Sequence, residues 1–450
     1  MTRHANIFKR GKLIAKIAET GEGFIQFTYD NLWRTTESDW LSLTLPYAQH
    51  LQPTRQKSLP PFLDGLIPEG WLLTVAQRFQ PDLAKDRFAL LVATCGDAVG
   101  DVSVATEPSI KELSLPGAAA IPAAKERGAN TSGRCLVCAG ELGNGAHYHP
   151  KCAHELFGTQ DATLPFSQDE FEELARANIN ARLIVPGAQR KISASLTRDA
   201  KGETGRLTIV GAGKDGLFIV KPEHPEAPTF PANEHLAMSL ARTAGLPTAV
   251  FGLMVGPDGK FAYVTRRFDR VWTSKHNGVT KLAMEDFGQL FNRIRDNDKY
   301  KGSYEQIGKF IRDHSPQALS NCAQLFDQVF LAYLIGNNDF HVRNISVFVE
   351  SNKPLLTPVY DFTITQLIDN EPEIDTTLSV NGKKAKLKKE DWIAFGEKLG
   401  FASKAVETKL QRIEKLMPNF NLVIKNSFLP DEQKLQLCAF MNSRMARVLK

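Results

Sequence analysis

The sequence predicts an α+β protein, with the strands concentrated in its first half and the helices in its second. Three observations predict it. Apolar and polar residues alternate through 7–30, IFKRGKLIAKIAETGEGFIQFTYD, around Gly11 and Gly21-Glu22-Gly23, which is the period of a small antiparallel meander. Short apolar runs at 217–222 and 261–265 read as buried strands. From Lys281 onward the spacing is helical: MEDFGQLFN, then YEQIGKFIRDH, then the long LFDQVFLAYLIG. A chain of 450 residues is long for one core, so two or three domains are expected.

Composition narrows the class. Hydrophobic residues at 42% and charged residues at 23% are those of an ordinary soluble globular protein. A net charge of +5 admits phosphate groups or an acidic partner, but it does not argue for direct nucleic-acid binding. No run approaches the ~18 apolar residues of a membrane span, and the first twenty residues lack a signal-peptide core. Three of the six cysteines cluster with histidines, which points to metal in a reducing compartment. No membrane association is expected, and a cytoplasmic location is.

Residues 1–106 read as a compact α+β unit. After the meander, Leu41-Ser42-Leu43-Thr44-Leu45-Pro46 predicts a further strand stopped by proline. A turn-rich stretch from Pro61 to Trp71 leads into a helical LLTVAQRF, and 87–106 predicts a short buried helix, a glycine turn and a strand. Residues 107–133, rich in Pro, Ala, Gly and Ser without a period, read as a linker.

A small insertion follows at 134–160. Cys135-Leu136-Val137-Cys138 is separated by ten residues from His149-Pro150-Lys151-Cys152. Two ligand pairs, each spaced by two residues, predict the closed four-ligand shell of a structural Zn²⁺ site, with unrelated cysteines in a loop as the alternative. His147 and His154 are alternatives to His149 for the fourth position.

Residues 161–265 predict a lobe core. Ser167 and Glu170 form a candidate capping box, with Phe166 and Phe171 at staple positions, opening a helix to about Ala181. The loop Val185-Pro186-Gly187-Ala188-Gln189-Arg190-Lys191 has the glycine and lysine to wrap phosphates, though a plain surface turn has the same composition. Lys221 ends a buried strand, and thirteen residues later Asn233-Glu234 opens a helix closed by Gly245 and Pro247. Glu234 is the expected ion-pair partner of Lys221; a surface salt bridge, or no pair at all, is the alternative. The strand 261–265 runs into Arg266-Arg267-Phe268-Asp269-Arg270, a connector placed as a hinge.

Residues 266–450 predict the helical lobe. The apolar run ends in Gly336-Asn337-Asn338-Asp339, with Asn344 five residues after the aspartate and Tyr360-Asp361-Phe362 one hairpin later. An acid, an amide at acid+5 and a second acid is the spacing of a kinase centre. There the first acid receives the proton of the attacking hydroxyl, while the amide and second acid hold Mg²⁺ on ATP phosphates. The basic loop Gly382–Lys389 reads as a solvated turn or a contact for an acidic partner.

With these motifs in order, the chain resembles the HipA-like serine/threonine kinases, toxins of bacterial toxin–antitoxin modules. The resemblance rests on FLDGLIPEGW (62–71), FALLVATCGDAVGDV (88–102), GAQRK (187–191), FIVKP (218–222) and NEHLAMSLARTAGLP (233–247). It continues through RRFDR (266–270), MEDFGQLF (284–291), IGNNDFHVRNISVF (335–348) and TPVYDF (357–362). The Cys/His insertion is similar to the zinc-ribbon segment of some members.

The resemblance implies a bilobal protein-kinase-like fold with an N-terminal α+β subdomain, a zinc-ribbon insertion and a helical C-terminal lobe. It implies ATP- and Mg²⁺-dependent phosphorylation of a protein, such as an aminoacyl-tRNA synthetase, and a small DNA-binding antitoxin of HipB type as partner. By motif, Asp339 is the base and Asn344 with Asp361 hold Mg²⁺. Lys221, backed by Glu234, holds phosphates; Gly187, Ala188, Gln189 and Lys191 form the phosphate loop. The backbone of Arg266 to Phe268 contacts adenine, and His341 braces the catalytic loop or is structural.

One departure stands out. In relatives the loop before Gly187 carries a serine whose autophosphorylation switches the enzyme off, whereas here the corresponding positions are Ile184 and Pro186. Ser193 and Ser195 are the nearest substitutes, and the proline predicts a loop held closer to one conformation. Two alternative functions stay open on sequence: a nucleotide-binding, weakly active or inactive interaction module, and a kinase acting on a lipid or small molecule.

Overall fold

The structure, a computed structural model, describes residues 2–36, 39–47, 54–79, 81–106, 125–143, 145–209, 216–272, 279–295, 297–368 and 374–450. Five strands of the N-terminal unit come first: β1 (Arg3–Lys9), β2 (Lys12–Glu19), β3 (Ile25–Tyr29), β4 (Thr54–Gln56) and β5 (Val102–Ala105). They form one sheet in the order β4-β3-β2-β1-β5, antiparallel throughout. Ile7, Ile14, Ile17 and Phe27 face its core. The predicted meander is present.

The strand expected over Leu41–Pro46 is absent; the segment is a series of turns. The alternation is real, but its polar groups bond outside any ladder. Leu43 N–H and Ser42 O–H both donate to the buried Glu285 carboxylate, at 2.8 and 2.6 Å, and Tyr29 O–H donates to the Leu45 carbonyl.

The second sheet contains β6 (Asp161–Thr163), β7 (Ile192–Arg198), β8 (Thr204–Ile209), β9 (Phe218–Lys221), β10 (Phe251–Val255) and β11 (Phe261–Arg266), in the order β10-β11-β9-β7-β8-β6. The Phe230–Thr243 helix packs against β10 and β11 and is buried along nearly its whole length. It begins three residues before the predicted Asn233, because Pro231 occupies a first-turn position where a missing N–H costs nothing. The Ser167–Glu170 capping box forms with both arms; it caps a 3₁₀ turn, Gln168–Glu170, that runs into a helix at Phe171–Asn180. The predicted linker lies outside the described residues over 107–124, and 125–133 contains no helix or strand.

Two small strands, β12 (Arg270–Trp272) and β13 (Val279–Lys281), pair beyond the hinge. The motif MEDFGQLFN is not one helix. Met284–Asp286 is a strand, β14, paired with β15 (Ser346–Glu350), and only Phe287–Leu290 is helical, opened by a capping box between Asp286 and Gln289. With β16 (Lys353–Leu356), β15 forms a hairpin whose turn, Ser351-Asn352, has both residues at positive φ, as a tight two-residue hairpin requires.

The helical lobe is built on Ala318–Ile335, which is buried from Leu325 onward apart from Asp327. The fully buried Trp392 locks it: its ring meets Phe330 at 4.8 Å and Tyr333 at 5.1 Å, pairs worth roughly 0.5–1.5 kcal/mol each beyond their area. The helix therefore delivers its C-terminal end at a fixed place. Among the described residues no helix is long and apolar enough to cross a membrane.

Candidate active site

The Ala318–Ile335 helix stops at Gly336, whose left-handed conformation (φ 75°, ψ 44°) turns the chain sharply into Asn337-Asn338-Asp339. Asn337 Oδ1 accepts from Asp339 N–H at 3.1 Å, and Thr365 Oγ1 accepts from Asn338 N–H at 2.7 Å, so side chains shape the loop. Asn344 Nδ2 donates to the Asp339 carbonyl at 2.8 Å, which fixes its amide and assigns its Oδ1 as the oxygen left for a cation. His341 Nδ1 accepts from Arg343 N–H at 3.2 Å while Nε2 lies 3.7 Å from Asp339 Oδ1. Burial and the nearby Lys299 hold this imidazole neutral, down to about 3, which suits the acceptor role of Nδ1. Through Nδ1, His341 is bonded within the loop that carries Asp339 and Asn344.

The β15–β16 hairpin then returns the chain to Asp361, which has a left-handed backbone (φ 51°), an uncommon state for a non-glycine residue and one seen at functional sites. Across the cleft, β9 ends in Lys221. Its ammonium donates to Glu234 Oε1 and Oε2 at 2.7 and 2.9 Å and also contacts Asp361. The expected Lys221–Glu234 pair is therefore present and buried. Burial opposes the Lys221 charge, but Asp361 and Glu234 more than reverse that and hold it protonated. Burial likewise pushes Asp361 up, yet Lys221 and Lys191 bring it far below the usual carboxylate range. Asp339 differs: burial raises it to about 6, with Lys299 opposing and Asp361 reinforcing.

The loop Gly187-Ala188-Gln189 closes one end of the same cavity. Gly187 has φ 127°, and a Cβ there would stand 2.1 Å from Lys191 Nζ, so Lys191 lies across the turn where only glycine fits. Lys191 is buried, and its ammonium is lowered to about 8 by that burial, with Asp361 opposing. The N-terminal unit holds the loop. Gly70 (φ 53°) touches it so closely that a Cβ would lie 2.4 Å from Ala188 Cα. Trp71 N–H donates to the Ala188 carbonyl at 3.2 Å, and the Arg190 guanidinium lies 5.2 Å from the Trp71 ring.

The connector at 266–270 forms the facing wall. The Arg266 and Arg267 N–H groups bond to Val250 and Leu217 carbonyls, the Arg266 side chain turns away onto Trp272, and the Phe268 ring packs on Tyr360 and Phe348. Of Arg266, then, only backbone is offered to the cavity.

Every residue expected at the phosphate, Mg²⁺ or base position lines this one cavity. Its donor set suits a nucleotide with a hard cation: carboxylate and amide oxygens at Asp361 and Asn344, ammonium groups at Lys221 and Lys191, and a buried Gln189 Oε1 with no bond of its own.

Three features escaped the sequence reading. Asp97 and Asp269 form a buried network with Arg267, Arg270 and Lys281, Arg270 reaching Asp97 at 2.8 Å and Asp269 at 2.8 Å. It clamps the connector to the N-terminal unit, and the charge-rich RRFDR was the available signal. Arg343 pairs with Glu69 and lies 3.6 Å from Asp286. Tyr300 O–H reaches the Asp339 carboxylate at 3.2 Å, and the neighbouring Lys299 lines the same cavity and acts on that carboxylate through its charge; their loop has no motif.

The Cys/His cluster stands apart from the cavity. One ligand atom from each of Cys135, Cys138, His149 and Cys152 lies within 4.8 Å of the others. His149 Nδ1 is 3.4 Å from Cys138 Sγ and 3.9 Å from Cys152 Sγ, close to the ~3.6 Å edge of a tetrahedral zinc shell. His149 Nε2 is 2.9 Å from the Glu141 carbonyl, which sets the tautomer and leaves Nδ1 as the ligand atom. Neither His147 nor His154 joins the group.

Residues 183–420 match the HipA-like C-terminal domain and residues 5–105 the HipA N-terminal domain. The chain belongs to the HipA-like family. A Haemophilus influenzae protein named "Putative kinase" is 27% identical over 59% of this chain and 82% of its own length. A Sinorhizobium fredii protein, "Putative kinase Y4mE", is 24% identical over 91% of this chain and 89% of its own. Among solved structures, the HipA of Shewanella oneidensis MR-1, from its toxin–antitoxin complex with HipB and operator DNA, aligns over 99% of this chain and 97% of that one. The TM-score is 0.68 at 17% identity, a likeness of fold. The HipA-like chain thus has the bilobal kinase-like fold.

Proposed function

We propose that this HipA-like chain is an ATP- and Mg²⁺-dependent serine/threonine protein kinase. The observation that carries the reading is the convergence of Lys221, Glu234, Asp339, Asn344 and Asp361, drawn from 140 residues of sequence, on one cavity. Lys221, held by Glu234, and Lys191 bind phosphate oxygens. Asn344 and Asp361 hold Mg²⁺, which offsets negative charge on the phosphates. Asp339 takes the proton of the acceptor hydroxyl. The test is ADP release and phosphate transfer by the wild type against Asp339→Asn; equal background in both would leave a nucleotide-binding module instead.

The acceptor we infer is a cytosolic protein, an aminoacyl-tRNA synthetase being the candidate class, and the restraining partner a small DNA-binding antitoxin like the HipB of the Shewanella complex. Phosphoproteomics of cells producing wild type or Asp361→Asn would name the acceptor. Inhibition through the usual switch positions is closed, since Ile184 and Pro186 carry no hydroxyl. Ser193 is a poor substitute: it is buried on β7, its N–H donates to Asn178 Oδ1 at 2.6 Å, and its Oγ faces Gly216. The Cys135/Cys138/His149/Cys152 group is read as a closed structural Zn²⁺ site, and the chain as cytoplasmic.

A further inference from the structure

The carboxylate read as the catalytic base already holds a hydroxyl. Tyr300 O–H donates to Asp339 Oδ1 at 3.2 Å. A general base works on a proton within hydrogen-bond reach, so the group bonded to Asp339 stands where an attacking hydroxyl must stand. Tyr300 is held there from several directions. Its ring meets the His341 ring edge-on at 5.4 Å, and Lys384 donates to its carbonyl at 3.0 Å. On either side of it, the Lys299 carbonyl accepts from Val342 N–H at 3.4 Å and the Gly302 carbonyl from Ser379 N–H at 3.2 Å. The residue is 39% exposed and stands at the rim of the cavity, beside Lys299 and Asp339, which both line it.

Lys384 also gives the basic loop a specific task. Lys383 pairs with Asp391 and Lys389 with Glu407, while Lys384 secures the turn that presents Tyr300.

We propose that Tyr300 is an intramolecular phosphoacceptor, a modification site built into the mouth of the active site; the inference rests on the kinase reading above. In the step, the phenol proton passes to Asp339 Oδ1 and a bond forms between Tyr300 Oη and the γ-phosphorus of a nucleoside triphosphate. The bond from that phosphorus to the β–γ bridging oxygen breaks, and the diphosphate leaves with its electron pair. The product places about two negative charges on the ring, beside the carboxylate of Asp339. Like charges repel, so the modified tyrosine no longer shares a hydrogen bond with the base, and the mouth of the cavity is altered for every later acceptor. A chain without switch serines at 184 and 186 thereby has a second place to record its own activity.

The experiment incubates the full chain with Mg²⁺ and ATP, measures ADP, and localises phosphate by peptide mass spectrometry. Phosphate on Tyr300 in wild type, none there in Asp339→Asn or Tyr300→Phe, and a first-order rate constant independent of chain concentration are expected. A rate constant rising in proportion to concentration would overturn transfer within one chain. ADP formation with Tyr300 unmodified would sink this inference and leave the kinase reading standing. No ADP from the wild type would remove both.

Discussion

Glu69 and Arg343 form an ion pair across the seam between the N-terminal unit and the loop that carries Asp339 and Asn344. Arg343 immediately precedes Asn344, its side chain is 7% exposed, and it also donates to the Gly65 carbonyl at 3.3 Å. A buried guanidinium that loses its carboxylate keeps its desolvation cost without the attraction that offsets it. Glu69→Gln is therefore expected to cost roughly 3 kcal/mol, the low end for a broken buried pair because Asp286 remains 3.6 Å away. Nucleotide KM should change less than kcat, since Lys221 and the connector are untouched. Urea unfolding and steady-state kinetics check both; a variant with unchanged stability would show that the pair is merely solvated.

Lys221 has two carboxylates on one ammonium, and this separates two variants that each lose activity. Lys221→Met removes the ammonium that Glu234 and Asp361 share, leaving Lys191 to offset both, and should destabilise the nucleotide-free chain. Asp361→Asn leaves Lys221 paired with Glu234 and should unfold close to wild type. Asp339→Asn should lower phosphate transfer by about 10²–10⁴-fold, the usual worth of a positioned base, with nucleotide binding retained. Calorimetric binding and melting curves distinguish the three variants. Equal melting of Lys221→Met and Asp361→Asn would count against the shared-ammonium description.

The parts of this site that were legible in sequence are those set by local spacing. Asp339, Asn344 and Asp361 belong to one turn and one hairpin, and Lys221 ends a strand, so their order along the chain carries their geometry. Tyr300, Lys299 and Glu69 were not legible. Their loops meet the catalytic segment only through tertiary packing, and nothing in 297–300 differs from a plain turn. The absent strand at 41–46 has the same origin: the alternation is present, but a buried carboxylate 243 residues beyond Ser42, Glu285, takes the hydrogen bonds that a strand would have needed.

The Asp339 environment predicts a pH dependence. Burial raises the carboxyl from 3.8 to about 6, with Lys299 opposing. A base acts only when deprotonated, so kcat/KM should be flat above that value and fall tenfold per unit below it. The stability term has the opposite sign: a raised carboxyl favours the protonated fold, so this group adds stability as pH drops from above 6 towards 3.8. Lys299→Met removes the largest opposing charge and should move the limb upward. A pH–rate profile of both proteins, corrected for unfolding, checks this; a limb in the ordinary carboxylate range in the wild type would refute it.

The zinc segment should matter beyond its own turn. Between Cys135 and Cys138, the Leu136 carbonyl accepts from Leu253 N–H at 2.7 Å and the Val137 carbonyl lies 3.0 Å from Nε2 of the buried His235. His235 adjoins Glu234 on the Phe230–Thr243 helix, so the Cys135–Cys138 turn packs directly on the helix whose Glu234 holds Lys221. The purified chain is expected to carry one zinc, lost on Cys135→Ser or Cys152→Ser and kept on His147→Ala. Losing the metal frees four ligands from one point, and the turn should melt locally before the lobes unfold. If the packing transmits that loosening, weaker nucleotide binding will accompany zinc loss while the Asp339 loop stays ordered. Metal analysis with hydrogen exchange over residues 134–157 and 230–243 reads both effects. Zinc-free protein as purified would refute the site, and exchange confined to 134–157 would refute the coupling.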